Sequence, residues 1–269
     1  MNMVEEMVQL SDDELLRYAR QVLLDGWDMD AQLRLKTARV VIIGAGGLGC
    51  PASETLVRAG IGYVHLIDDD EIEASNLQRQ TLFLPEDIGQ SKALTAVHML
   101  ARINPLIKAR GTVARLDEYN AYELLDMASS KPDLLLDCTD NFATRDIINR
   151  ISVRYQIPLL SASAIAMQGQ LALFEPQLDT GCYHCVFGSV VLDEAADERT
   201  CANSGVLAST TAVMGNLQAN TALQYLGLTK NLLTNKLLIW DGSQMQQRLM
   251  GYRKDPQCPV CSSPIVNPL

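Results

Sequence analysis

The stretch with the clearest chemical content runs from Ile67 to Gln80 and reads IDDDEIEASNLQRQ. It follows a glycine-rich turn, Gly44-Ala45-Gly46-Gly47-Leu48-Gly49, which fits G-x-G-x-x-G. A turn of this kind between a strand and a helix bends the backbone tightly. It also brings phosphates to the helix N-terminus, where free N–H groups and the dipole favour anions. An acid about twenty residues further on, here Asp68, is placed to accept hydrogen bonds from ribose hydroxyls. A turn needed only for helix–strand packing is the plainer alternative, and its place directly after a strand disfavours it. Asp69 and Glu71 read as a solvated acidic turn.

Asn76, Arg79 and Lys92 follow, and later Asp140 in DCTDNFATR. Two cations beside one acid suit a triphosphate with Mg²⁺: the cations neutralise phosphate oxygens and the acid holds the metal or its waters. Hydride transfer to or from a nicotinamide needs no such set. Taken singly, Arg79 and Lys92 read as surface charges, and Asp140-Asn141 as a helix cap. Their joint placement after strand ends favours the phosphate reading.

The chain has seven cysteines, and four form two pairs, Cys182/Cys185 and Cys258/Cys261. Four thiolates complete a tetrahedral Zn²⁺ shell and leave no open position, so the expected zinc is structural. His184 lies inside the first pair and is expected not to be a ligand. His65 and His98 read as structural residues, and Cys50 and Cys138 as small buried ones. Cys201, in TCANSGVL, reads as a free thiol beside a helix start.

The elements that must position these groups are those of a Rossmann-like α/β fold: a doubly wound, mostly parallel sheet extended by antiparallel strands. Ser11-Asp12-Asp13-Glu14 is a capping box, and Leu15, Leu16, Ala19, Val22 and Leu23 form the apolar stripe of the helix behind it. A short helix is expected at 29–36. Strands are expected at 40–43, 63–67, 107–113 and 134–137, and another led by Pro158-Leu159-Leu160. Helices are expected at 51–59, 91–103, 121–128 and 142–155. Residues 170–174 alternate as an exposed or edge strand would, and 182–204 look irregular. A long helix is expected at 205–226 and a strand pair at 237–240 and 246–252. One domain, 1–269, is expected: a helical part (1–37), a nucleotide-binding core (38–165), and a crossover loop, long helix and zinc part (166–269).

The 269 residues carry a formal net charge of −10 and a pI near 4.8. An acidic chain of this kind is poorly suited to gripping nucleic acid by its phosphates. No apolar stretch reaches the ~18 residues a membrane span needs. The N-terminus, MNMVEEMVQLSDDE, lacks the cationic start of a secretory signal. A cytoplasmic protein is expected.

RYARQVLL, GAGGLGCPASETLVRAGIG, DDDEIEASNLQRQTLF, GQSKA, DCTDNFATR, CYHC, TCANSGVL and CPVC occur in this order. Together they resemble the MoeB/ThiF family, which is similar to the adenylation domain of ubiquitin-activating enzymes. The resemblance spans about residues 10–261. It implies an adenylyltransferase that uses MgATP to activate the C-terminal glycine of a ubiquitin-like sulfur carrier of the MoaD or ThiS type, in molybdopterin or thiamine synthesis. It implies a nucleotide site made of Gly44, Gly46, Gly47, Gly49, Asp68, Asp70, Ser75, Asn76, Gln78, Arg79, Lys92, Asp140 and Asn141. Asp140 would serve Mg²⁺. The context of Cys201 resembles the position where some relatives form a covalent intermediate with the carrier, the alternative to the free thiol. Arg20 would reach the phosphates of a neighbouring subunit's ATP, so a homodimer is implied. Members of this type can carry a rhodanese domain; none follows CPVC here, so a separate sulfur donor, such as a cysteine desulfurase or rhodanese, is expected. The alternative within this resemblance is a tRNA threonylcarbamoyladenosine dehydratase, which the acidic balance disfavours.

Overall fold

The computed structural model describes residues 8–178, 180–191 and 205–262, with the backbone alone at 189–191. Its centre is an eight-stranded sheet in the order β3-β2-β1-β4-β5-β6-β7-β8. The strands are β1 (Arg39–Ile43), β2 (Tyr63–Ile67), β3 (Lys108–Thr112), β4 (Leu134–Asp137), β5 (Leu159–Ile165), β6 (Gln168–Phe174), β7 (Lys236–Asp241) and β8 (Gln246–Gly251). The first five are parallel and the last three antiparallel. RVVII and LLLD are apolar runs because β1 and β4 are covered on both faces.

The helices are α1 (Asp12–Val22), α2 (Met29–Thr37), α3 (Gly49–Ala59), α4 (Lys92–Ile103), α5 (Ala121–Leu124), α6 (Phe142–Tyr155), α7 (Tyr183–Val191) and α8 (Ala208–Leu228). One core joins the sheet to α3, α4 and α8 through Leu56, Leu100, Met214 and Ala219. A second joins the other face to α5 and α6 through Leu125, Ile148 and Ile151.

Register decides where the loops emerge. Ile43 of β1 pairs with Ile67 of β2 on one side and Asp137 of β4 on the other. Gly44, Asp68 and Cys138 therefore leave the sheet side by side at its carboxyl edge. The strand order runs outward in both directions from β1 and β4, so this edge holds the crevice where open α/β sheets bind ligands.

Three expectations are corrected. β6 is not an edge strand: it lies between β5 and β7, and Leu171 to Phe174 are all buried. Its alternation reflects Gln168 and Gln170 at the start, not an open face. The segment from Cys182 is not irregular throughout, because Tyr183–Val191 is helical and packs Tyr183 and Phe187 into the second core. The helix at 121 stops at Leu124, and Asp126 adopts φ +55°. The leucine stripe of α1 does not face the core: Leu16 is 81% and Leu23 76% exposed. Tyr18 and Glu14 dock the helix instead. Asn104 Nδ2 donates to the Tyr18 hydroxyl at 2.8 Å, and Lys36 pairs with Glu14 at 2.7 Å. Among the described residues no helix is long and apolar enough to cross a membrane.

The glycine turn is held by contact, not only by conformation. Gly44 has φ +95°, and a Cβ at Gly49 would stand 2.0 Å from the Gly44 carbonyl oxygen. At Gly46 a Cβ would meet Gln80 Nε2 at an ordinary 3.7 Å. Gly49→Ala is expected to lower the unfolding free energy by roughly 2–4 kcal/mol, and Gly46→Ala by less than about 1. Urea unfolding of the two variants compares them; equal midpoints would refute this account of the turn.

Candidate functional site

A cleft of about 540 Å³ opens at the carboxyl edge. It is lined by Gly44, Gly46 and Gly47 of the turn, Asp68 and Asp70 after β2, Asn76 and Arg79, Lys92 at the start of α4, and Asp140 and Asn141 after β4. Asp68 Oδ2 accepts from the Ala45 N–H at 2.7 Å, and Oδ1 from the Asp70 N–H at 2.8 Å. Burial pushes its carboxyl above the usual range, and those two N–H groups oppose the shift.

Lys92 reaches the cleft through a local pairing. Residues 70–72 and 89–92 run antiparallel, with Ile72 N donating to Gln90 O and Lys92 N to Asp70 O. The buried Lys92 ammonium then lies 2.7 Å from Asp70 Oδ2, whose side chain is mostly exposed. The Ser75–Gln80 segment winds into a tight turn, in which Arg79 N and Gln80 N both donate to Asn76 O. Asn76 is buried; its Oδ1 accepts from Glu73 N and its Nδ2 donates to Ser75 Oγ. Arg79 donates to the Ser75 carbonyl at 3.1 Å, and its methylenes stand 3.2 Å from a Cβ built on Gly47.

The Asp140 loop is braced from below. Buried Asp137 accepts from Thr139 N at 3.0 Å, Thr139 Oγ1 at 2.7 Å and Ser161 Oγ at 2.6 Å. Arg145 donates to the Thr139 carbonyl and lies 3.8 Å from Asp137. Asp140 is exposed at the rim, and among the described residues no hydrogen bond involves its carboxylate. Asn141 Oδ1 accepts from Thr144 N at 2.8 Å, so the capping role read from the sequence is also real.

Sequence reasoning missed Gln80, Thr139, Arg145 and Thr211, all of which line the cleft. Gln80 closes SNLQRQ and Arg145 closes DNFATR, so both lay within the quoted motifs. Thr211 comes from α8 and had no local signal; packing of that helix against α3 delivers it. Three expected residues stand apart from the lining. Ser75 and Gln78 are exposed, and Gly49 opens α3 behind the turn. Ser75 Oγ donates to Glu73 instead. Cys138 lines the cleft and Cys50 lies behind it. Burial pushes the Cys50 thiol up to about 12 and raises that of Cys138, so both stay protonated and inert.

The two cysteine pairs converge. Sγ–Sγ separations are 3.9 Å for Cys182–Cys185, 3.7 Å for Cys182–Cys258 and 3.5 Å for Cys185–Cys261. A tetrahedral zinc with Zn–S near 2.3 Å spaces its sulfurs about 3.8 Å apart. Asn149 Nδ2 and Asp255 N point at Cys182 and Cys185, as outer donors to thiolates do. His184 is turned away, its Nδ1 2.9 Å from Asp146 Oδ1. The residues fit zinc.

The chain matches the ThiF family over residues 18–260. It belongs to the ThiF family. It is similar to the molybdopterin-synthase adenylyltransferase of Escherichia coli K12, at 41% identity over 95% of this chain and 99% of that protein. It is 39% identical to the sulfur carrier protein ThiS adenylyltransferase of the same organism, over 97% of this chain and all of that protein. Among solved structures it resembles E. coli MccB with ATP, with TM-score 0.73 and 27% identity over 87% of this chain and 69% of that one.

For a ThiF-family chain two further positions matter. Arg20 is exposed on α1 and does not line the cleft of its own chain. Cys201 and the acidic run 193–198 lie outside the described residues. The cysteine cluster ties the C-terminal CPVC to α7 and to Asn149 of α6. Elemental analysis of protein purified without chelator should give one zinc per chain. Cys258→Ser should lose the metal and unfold at lower temperature. Metal-free wild type with unchanged stability would contradict the site.

Proposed function

We propose that this ThiF-family chain adenylates the C-terminal glycine carboxylate of a ubiquitin-like sulfur carrier, MoaD or ThiS in type, with MgATP as co-substrate. The observation that supports it is the convergence of a glycine turn, the Asp68 carboxylate, two cations and a rim carboxylate on one sheet edge. In the proposed reaction a carrier carboxylate oxygen bonds to the α-phosphorus, the bond to the bridging oxygen of pyrophosphate breaks, and pyrophosphate leaves. No side-chain base is required, because the carboxylate is already ionised at neutral pH.

What the site must supply is charge. Arg79 and Lys92 stand where the phosphates would lie against the turn. Lys92 would exchange Asp70 for phosphate oxygens, and Asp68 would accept from the ribose hydroxyls. Asp140, with its carboxylate unengaged by the described residues, would hold Mg²⁺. That ion adds positive charge to the pyrophosphate leaving group. Leu15 and Leu16 of α1 and Leu23 and Leu24 just beyond it are exposed on either side of Arg20 in the sequence, and we place a second copy of the chain over this part of the surface, with Arg20 reaching its ATP. A separate sulfur donor and a cytoplasmic setting belong to the same proposal.

Arg79→Ala should reduce carrier-dependent ATP–pyrophosphate exchange by roughly 10²-fold or more, by analogy with losing one preorganised donor. A near-wild-type exchange rate would defeat the assignment. Offering purified MoaD-type and ThiS-type carriers separately, with the acyl-adenylate read by intact mass, identifies the pathway.

A further inference from the structure

Gln80 is 3% exposed, yet its carboxamide is unsatisfied. Among the described residues its Oε1 has no hydrogen-bond partner, and no bond is made by its Nε2. The side chain lines the cleft, with Nε2 3.7 Å from where a Cβ on Gly46 would stand. A buried polar group without a partner costs about 1–3 kcal/mol, and buried polar groups are paired nearly everywhere else in folded proteins. An orphan that faces a ligand cleft is therefore a group waiting for a ligand atom.

The orphan oxygen is an acceptor, so its partner must bring a donor. Phosphates bring acceptors only. The ribose hydroxyls already have Asp68. The adenine amino group would lie at the far end of the nucleotide from phosphates held at the glycine turn, and Gln80 stands against that turn, so the donors left beside it are the peptide N–H groups of the carrier's tail. Gly47, Ala164, Val206 and Thr211, all small side chains, also line the cleft, which suits a tail that ends in glycine.

We infer that Gln80 is a substrate-binding residue, whose Oε1 accepts from the last peptide N–H of the carrier tail and so aims the terminal carboxylate at the α-phosphorus. The assignment rests on the proposed carrier adenylation and adds to it the group that recognises the tail. It also explains why an amide that weakens the folded protein stands there.

Gln80→Met keeps the length and removes both polar atoms. Removing an unpaired buried amide should leave thermal stability equal or higher. The KM for the carrier in ATP–pyrophosphate exchange should rise on the order of tenfold, while the Kd for MgATP measured without carrier stays within about twofold. A second arm changes the carrier: terminal glycine replaced by glycolic acid turns the last amide into an ester and deletes its N–H. Wild-type enzyme should lose about tenfold on that carrier, and Gln80→Met little more than it has already lost. Equal sensitivity of both enzymes to the ester overturns the assignment, as does a loss confined to MgATP affinity or a lowered stability with unchanged carrier KM. If wild-type enzyme exchanges with no carrier, the adenylation proposal itself fails and this assignment falls with it. Exchange with no dependence on Gln80 refutes this assignment alone.

Discussion

A carboxylate that attacks a phosphate must approach an anion while being one. At close range that repulsion amounts to several kcal/mol in a partly dry cleft, and the arrangement of this protein's carboxyl edge follows from it. The register of β1 against β2 and β4 puts three loop starts in a row, at Gly44, Asp68 and Cys138. In the proposed function each delivers one part of an answer: N–H groups at a helix start, an acceptor for a sugar, and a loop ending in a rim carboxylate. The cations come from the next segment along, Arg79 from a tight turn and Lys92 from a helix start clipped back to it.

The supports are rigid where charge must be held and sparse where a substrate must enter. Asp137, buried and bonded to Thr139 and Ser161, fixes the loop beneath Asp140. Asp70 holds Lys92 through one exposed carboxylate, a contact that phosphate oxygens can replace. The four cysteines clamp the C-terminal segment to α6 and α7. Burial pushes the Tyr183 phenol up to about 12, against the pull of the nearby Arg145 guanidinium. The cysteine cluster and the wall of the cleft thus share α6, which carries Thr144 and Arg145 in the lining.

Much of this was legible in the sequence because local chemistry and spacing encode it. The strands, the glycine turn, Asp68, Arg79 and the paired cysteines each announce themselves within a few residues. What was not legible depended on partners distant in the chain. Nothing near Lys92 says that 89–92 pair with 70–72, and nothing near Thr211 says that α8 crosses the turn. The leucines of α1 read as an apolar stripe and no more, since the pattern records an apolar face and not what covers it. β6 looked like an edge because its polar start was visible and its outer neighbour β7 begins only about sixty residues further along the chain. Gln80 sat in plain view inside SNLQRQ; only three-dimensional burial reveals that its amide lacks a partner.

The central claim is that the cations and the rim carboxylate converge on a triphosphate. A crystal structure of the protein with Mg²⁺ and a non-hydrolysable ATP analogue tests it most directly. The account predicts phosphate oxygens within hydrogen-bond distance of Arg79 and Lys92, ribose hydroxyls on Asp68, and the metal or its waters on Asp140. A nucleotide bound elsewhere, or bound in the cleft with Arg79, Lys92 and Asp140 all turned to solvent, would contradict it.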